Sequence, residues 1–70
     1  MFVLLVSYQG REVYRKLFHR WQDADSWFGW RVKAMRERTA RSPGDTVTLC
    51  NLDGEVFKTA GDGQNVRTHS

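Results

Sequence analysis

Apolar and polar residues follow one another along this chain in a way that predicts strands before any helix. Residues 2–6, FVLLV, form a continuous apolar run that is too short for an independent helix and is typical of a buried strand. A turn at Gln9-Gly10 follows. Residues 12–18, EVYRKLF, then mix β-branched, aromatic and basic side chains, as a strand with one solvent-facing side does. These two segments predict a hairpin, whose register stays open because Gln9 adopts a positive φ angle less readily than glycine.

A helix is predicted after this hairpin. Asp23 is a suitable N-cap, and Asp25 places negative charge in the first turn, where the helix dipole favours it. Trp27 lies at the edge of the apolar stripe, and Trp30 points away from it. Residues 42–44, Ser-Pro-Gly, end the helix because the residue before a proline is pushed out of helical geometry. The residues that share the core-facing stripe at 100° per residue are Ala24, Phe28, Val32 and Met35.

A second hairpin is predicted in residues 46–60, TVTLCNLDGEVFKTA. A three-residue loop closed by Gly54 at a left-handed position places the apolar side chains of Val47, Leu49 and Phe57 on one face. A two-residue Asp53-Gly54 loop instead sets Leu49 opposite Lys58 and mixes the faces, so the first loop is preferred. The pairs predicted by the preferred loop are Asn51 with Glu55, Leu49 with Phe57, and Val47 with Thr59.

The element order is therefore ββαββ. It predicts an α+β domain over residues 1–60, in which two hairpins form a four-stranded antiparallel sheet and one amphipathic helix packs on one face. The strand order does not follow from the pattern. Residues 61–70, GDGQNVRTHS, are polar and glycine-rich and predict a disordered tail. Because a chain of 70 residues builds only a small core, a homodimer stays open as an additional source of stability.

Composition excludes several classes of protein. Cys50 is the single cysteine, so no disulfide forms within the chain, and Cys50, His19 and His69 lack the paired spacing of a structural zinc site. No metal and no cofactor are predicted. The longest apolar run is far shorter than the ~20 residues that span a membrane, so we expect a soluble, cytoplasmic protein without a membrane partner.

No catalytic residue is predicted, and the chain is not expected to be an enzyme. His19 is the obvious suspect, because a His with Arg20 and Tyr14 nearby could act on a phosphate. However, no second acid or base is spaced to work with it. Cys50 lies on a predicted strand without an activating neighbour, which is typical of a small packing residue.

The positive charge is concentrated in residues 11–41. This region carries nine basic and four acidic residues, a net charge of +5, whereas the chain from residue 42 onward has a net charge of −2. Basic residues near a helix C-terminus also complement its dipole, so an ordinary solvated face is the simplest interpretation. Trp30 either folds over a neighbouring loop or strand edge or serves as an exposed anchor for a partner. The candidate partner-binding residues are Trp30, Lys33, Arg36 and Arg41, with a second patch of Arg15, Lys16 and Arg20.

Three segments together carry a resemblance to known proteins: FVLLVSYQGREVYRKLF, DADSWFGWRVKAMRE and DTVTLCNLDGEVF. In order and length they resemble the small ββαββ proteins of phages and other mobile elements, including some type I anti-CRISPR inhibitors. The resemblance implies a non-enzymatic protein that docks on a host protein or nucleoprotein complex and inhibits or modulates it. It assigns no binding residue. The alternative function is a nucleic-acid-binding module that uses the basic surface of residues 11–41.

Overall fold

One antiparallel sheet and one helix make up the fold in the computed structural model, which describes residues 1–37, 44–61 and 67–68. The predicted ββαββ order, with four antiparallel strands in one sheet and the helix packed on it, is confirmed. The elements in chain order are β1 (Phe2–Tyr8), β2 (Arg11–Phe18), α1 (Trp21–Arg36), β3 (Thr46–Asn51), β4 (Val56–Gly61) and β5 (Arg67–Thr68).

The strands lie in the order β2-β1-β3-β4-β5, and each neighbouring pair is antiparallel. The two hairpins therefore meet through β1 and β3, and α1 connects β2 to β3 across β1. The short β5 pairs Thr68 with Lys58 and Arg67 with Thr59. At these two positions, and at Gly61 in β4, the structure differs from the predicted disordered tail, because β4 offers an open edge for pairing. The other residues of that tail lie outside the described residues.

The first hairpin turns through Gln9 and Gly10, whose φ angles are 56° and 79°. Two successive positive φ angles are the signature of a two-residue turn whose twist matches that of the strands. Tyr8 consequently pairs with Arg11, and a bulge beside Val6 and Ser7 shifts the remaining register by one residue. From there to the end of the hairpin, Leu4 pairs with Lys16 and Phe2 with Phe18.

The buried side of α1 matches the predicted stripe of Ala24, Phe28, Val32 and Met35. The predicted start of the helix is wrong by three residues. Arg20 occupies the N-cap position without a side-chain cap hydrogen bond, and Asp23 lies inside the first turn. The earlier start lets the Trp21 ring pack against Phe2 and Phe57, at centroid distances of 5.4 and 5.7 Å. Packing of these rings outweighs the capping preference of Asp23.

The C-terminal end of α1 also differs from the prediction. The helix ends at Arg36, with Glu37 as the C-cap residue, so residues 42–44 do not terminate it. Gly44 has another structural role. A Cβ atom at this position would lie 2.9 Å from the backbone nitrogen of Gly10, so only glycine lets the segment before β3 approach the first turn. Residues 38–43 lie outside the described residues.

The second hairpin contains the predicted turn and an unpredicted bulge. The Asn51 N–H donates to the Glu55 carbonyl at 2.9 Å, and Gly54 has a φ angle of 87°, which confirms the three-residue loop. A shift between Leu49 and Cys50 then sets Leu49 opposite Lys58 and Val47 opposite Ala60. The predicted pairs Leu49 with Phe57 and Val47 with Thr59 are therefore wrong. Three tertiary contacts accompany the bulge, namely those of the Phe57 ring with Phe2 and with Trp21, and the ion pair of Lys58 with Asp25.

Candidate functional site

The side of α1 that faces away from the sheet presents an aromatic surface. Trp30 is 61% exposed in the middle of the helix, opposite the buried stripe. Trp27, Ser26 and Trp30 line a shallow groove on one side of the indole. On the other side, Trp30 borders a second hollow with Lys33, Ala34 and Glu37. We call these six residues the Trp30 surface.

Strand β2 contributes a cation to the edge of this surface. Lys16 places its Nζ atom 4.5 Å from the centre of the Trp27 ring and 5.4 Å from that of Phe18. The Trp27 and Phe18 rings themselves lie 6.4 Å apart. Lys16 faces the helix because it pairs with Leu4, whose side chain is buried in the core. The structure thus brings Lys16 of the second predicted patch next to the Trp30 surface of the first.

A second cation lies farther along the same junction between β2 and α1. The guanidinium carbon of Arg31 lies 4.3 Å from the centre of the Tyr14 ring. Arg31 is half-buried, and its Nε atom is buried without a hydrogen-bond partner among the described residues. Both contacts are cation–π pairs, in which the face of the ring attracts the positive charge.

The remaining predicted site residues do not join the Trp30 surface. Arg15 follows the opposite face of β2 and forms an ion pair with Glu12 at 2.8 Å. Arg20 is exposed at the start of α1. Arg36 is exposed in the last turn, about 120° around the helix from Trp30 at 100° per residue. Arg41 lies outside the described residues. The predicted basic residues that the structure describes, namely Arg15, Lys16, Arg20, Lys33 and Arg36, therefore do not form one continuous surface.

Comparison with known protein families, curated proteins and solved structures found no match for this chain. The resemblance to small phage proteins thus stays a prediction.

The uncovered face of the sheet is a second surface of interest. Val3 and Cys50 are buried there, and Leu5 is half-buried, although no described helix or strand covers this face. Residues of the sheet and of the β3–β4 turn line a hollow on this face, namely Val3, Leu5, Arg15, Cys50, Asn51, Leu52 and Gly54. The homodimer stays a prediction.

The two residues considered for catalysis, His19 and Cys50, lie in different environments. His19 is exposed between β2 and α1 and forms no hydrogen bond or ion pair with another described residue. Burial raises the pKa of the Cys50 thiol, and the nearby charge of Arg15 offsets only part of that shift. A thiol with a raised pKa is a weak nucleophile at neutral pH. In residues 1–37 and 44–61, no three His, Cys, Asp or Glu side chains cluster to hold a metal ion. The one helix described is too short and too polar to cross a membrane.

Sequence reasoning overlooked two residues at this site as binding groups. The helical pattern predicts Trp27 only at the edge of the apolar stripe, and Arg31 is not among the predicted site residues. Their spacing of four places them on one side of the helix, and Tyr14 and Lys16, two apart, share one side of β2. These two spacings were the signal in the sequence that each pair of residues shares one side of its element. Which strand face meets which helix face depended on the register, and the sequence left that open.

Proposed function

We propose that this chain is a non-enzymatic binding protein that docks on a larger host protein or nucleoprotein complex and inhibits or modulates it. The observation that carries the proposal is the exposure of Trp30 in the middle of a 16-residue helix. Large aromatic residues are usually withdrawn from water, and an exposed tryptophan between two hollows is typical of an interface anchor. The host cytoplasm is the compartment we propose.

The alternative interpretation of Trp30 is that it folds over a neighbouring loop or strand edge. Among the described residues Trp30 has no ring stacking and no cation–π contact, whereas Trp21 and Trp27 have both. Within that part of the chain, no ring and no cation covers its indole. The neighbouring groove and hollow give that partner room for side chains on both sides of the ring.

Direct nucleic-acid binding is the second candidate function, and the net charge of +5 over residues 11–41 favours it. The distribution of the charges does not. Arg15 and Lys16 are neighbours in sequence but lie on opposite sides of the sheet. Arg36 lies on another flank of the helix. A groove that follows a phosphate backbone needs several cations on one side, and these three do not supply it.

The test starts from partner capture in host lysate, with and without nuclease treatment, followed by affinity measurement on the captured partner. The resemblance to phage inhibitors makes a type I CRISPR effector complex the first purified target. Trp30→Ala should weaken binding by ~2 kcal/mol or more, which is about 30-fold, without lowering the denaturation midpoint. Leu52→Ala is the matched control, because Leu52 is also exposed and apolar but lies on the β3–β4 turn. It should leave affinity unchanged.

A different result would support the nucleic-acid candidate. Four phosphate contacts predict that log affinity for duplex DNA falls with log salt at a slope near −3.6, and Lys33→Ala should reduce that slope by about one. Tight binding to bare oligonucleotides at physiological salt, unaffected by Trp30→Ala, would replace our proposal. His19→Ala should leave either kind of binding intact, because we assign His19 no chemistry.

A further inference from the structure

Two cation–π pairs lie side by side where β2 packs against α1. Tyr14 and Lys16 alternate onto the helix side of the strand, and Trp27 and Arg31 follow each other by one helical turn. Lys16 contacts Trp27 at 4.5 Å, and Arg31 contacts Tyr14 at 4.3 Å, measured to the ring centres. We call these four residues the cationic seam.

The two positive charges of the seam lie at the same junction between β2 and α1, Lys16 on Trp27 and Arg31 on Tyr14. Within the described residues, neither cation forms an ion pair. The acids that do form ion pairs lie elsewhere, Glu12 with Arg15 and Asp25 with Lys58. An anionic ligand would give these two cations the negative partner that the described residues do not supply.

Arg31 is already positioned for such a ligand. The Tyr14 ring supports the guanidinium, and the Nε donor is buried without a partner in the described part of the chain. Because the Arg31 side chain is already held in place, it loses little conformational freedom when a ligand binds. A guanidinium forms paired hydrogen bonds with a carboxylate, which a lysine does not, so Arg31 would define the orientation of the ligand.

The seam is continuous with the Trp30 surface, because Trp27 belongs to both. Its ring contacts Lys16 and also lines the groove that Ser26 and Trp30 share. A ligand that fits both parts carries carboxylates next to an apolar side chain. From this geometry we infer that the partner presents an acidic protein segment, with carboxylates on Lys16 and Arg31 and an apolar residue against Trp30. The inference rests on the proposed function and adds the chemistry of the partner.

The same geometry favours a protein segment over a nucleic acid. The seam offers two cations at one junction of β2 with α1, whereas phosphates repeat along a strand and need cations at matching intervals. Arg15, the next basic residue of β2, faces the other side of the sheet. A short acidic peptide can carry carboxylates and an apolar side chain within a few residues of each other.

The test is a nuclear magnetic resonance titration that follows the indole N–H signals of the three tryptophans. One probe is a short peptide of glutamates with a central leucine, and the control probe replaces every glutamate with glutamine. The acidic peptide should shift the signals of Trp27 and Trp30. Trp21, which packs against Phe2 and Phe57 away from the seam, should keep its signal. The glutamine peptide should shift none of the three at the same concentration.

Two variants with the same change in net charge locate the effect. Lys16→Gln should weaken binding of the acidic peptide about tenfold, because a charge-assisted contact is lost. Arg15→Gln is the matched control on the opposite face and should change affinity less than about twofold. Equal denaturation midpoints for both variants would show that the fold is intact.

Several results would overturn the inference. Equal losses in the two variants would mean that only net charge matters, and equal binding of the two peptides would mean that carboxylates are not recognised. If the acidic peptide shifts none of the three indole signals, the proposed site is excluded. Larger shifts of the same signals with oligothymidylate would assign the seam to nucleic acid. If the peptide titration fails but Trp30→Ala weakens partner binding, the proposed function stands and only this inference is overturned. If the acidic peptide binds but Trp30→Ala leaves partner binding unchanged, Trp30 is not the anchor of the proposed function.

Discussion

The carboxylate of Asp45 accepts a hydrogen bond from the backbone N–H of Gln9 at 3.1 Å, although the two residues are 36 positions apart. Asp45 is fully buried. Beside this bond, the Gly10 N–H donates to the Gly44 carbonyl at 3.3 Å. The segment before β3 therefore holds the tight turn of the first hairpin. A buried acceptor compensates for the positive φ angle of Gln9, a residue that adopts this conformation less readily than glycine.

Asp45→Ala should lower the free energy of unfolding by about 1–3 kcal/mol, because it leaves the Gln9 N–H without its acceptor. Urea denaturation followed by tryptophan fluorescence measures the change. Asp53→Ala is the control, since Asp53 is exposed on the β3–β4 turn and only its backbone N–H bonds to Asn51. It should change the free energy by less than about 0.5 kcal/mol. Equal midpoints for the two variants would show that the Asp45 bond is not stabilising.

Gly54→Ala should destabilise the fold by about 1 kcal/mol or more, because the φ angle of 87° is strained for any residue with a Cβ atom. Gly29→Ala provides the opposite case. Gly29 lies on the exposed side of α1, and a Cβ atom there would meet nothing within 4 Å. This variant should stabilise the protein by roughly 0.5–1 kcal/mol through helix propensity. Thermal unfolding should show a lower melting temperature for Gly54→Ala and a higher one for Gly29→Ala. A stabilised Gly54→Ala variant would contradict the assigned turn.

Phe28→Ala should cost roughly 3–5 kcal/mol, which is enough to unfold a domain of this size. Its ring is almost completely buried beneath α1. Trp30→Ala removes an even larger side chain from the same helix and should cost less than about 0.5 kcal/mol, because that ring faces water. Circular dichroism on the purified variants measures the difference. A folded Phe28→Ala of wild-type stability would mean that the core is not where the structure places it.

Cys50 should react slowly with iodoacetamide at neutral pH, because burial raises the pKa of its thiol. The reaction rate should increase with pH. In a separate measurement, it should also increase when urea is added. A raised pKa in the folded state also means that the protonated thiol contributes stability below the ordinary thiol pKa. That contribution is lost as pH increases through the raised value. Because Cys50 is the single cysteine, the Cys50→Ala variant should remove this pH dependence, and fast labelling of the folded protein would contradict the burial.

The parts of the fold that local rules control were predictable. The stripe from Ala24 to Met35 follows from helical periodicity, and the turn at Gly54 follows from the φ angle that only glycine adopts freely. The pairing of β1 with β3 has no such local signal, since it joins segments that lie far apart in sequence. The bulge at Leu49 and Cys50 could not be predicted either, because it accompanies contacts of Phe57 and Lys58 with residues far away in sequence.

The candidate site divides in the same way. The exposure of Trp30 followed from its angular position on the helix. The second predicted patch contains residues that are neighbours in sequence, but the structure places Arg15 and Lys16 on opposite sides of the sheet. Whether a strand residue faces the helix depends on register, which a bulge changes by one position. The contacts of Lys16 with Trp27 and of Arg31 with Tyr14 therefore needed the tertiary structure.

The central place of β1 in the sheet has a consequence for how the chain folds. After the first hairpin and the helix have formed, the strand Phe2–Tyr8 still exposes one hydrogen-bonding edge, and β3 fills it only after the rest of the chain has arrived. The residues of that strand, FVLLVSY, are uncharged, and the first five are apolar. Such an edge is a template for pairing with another chain. Aggregation during folding should therefore begin at β1, and its rate should increase steeply with protein concentration.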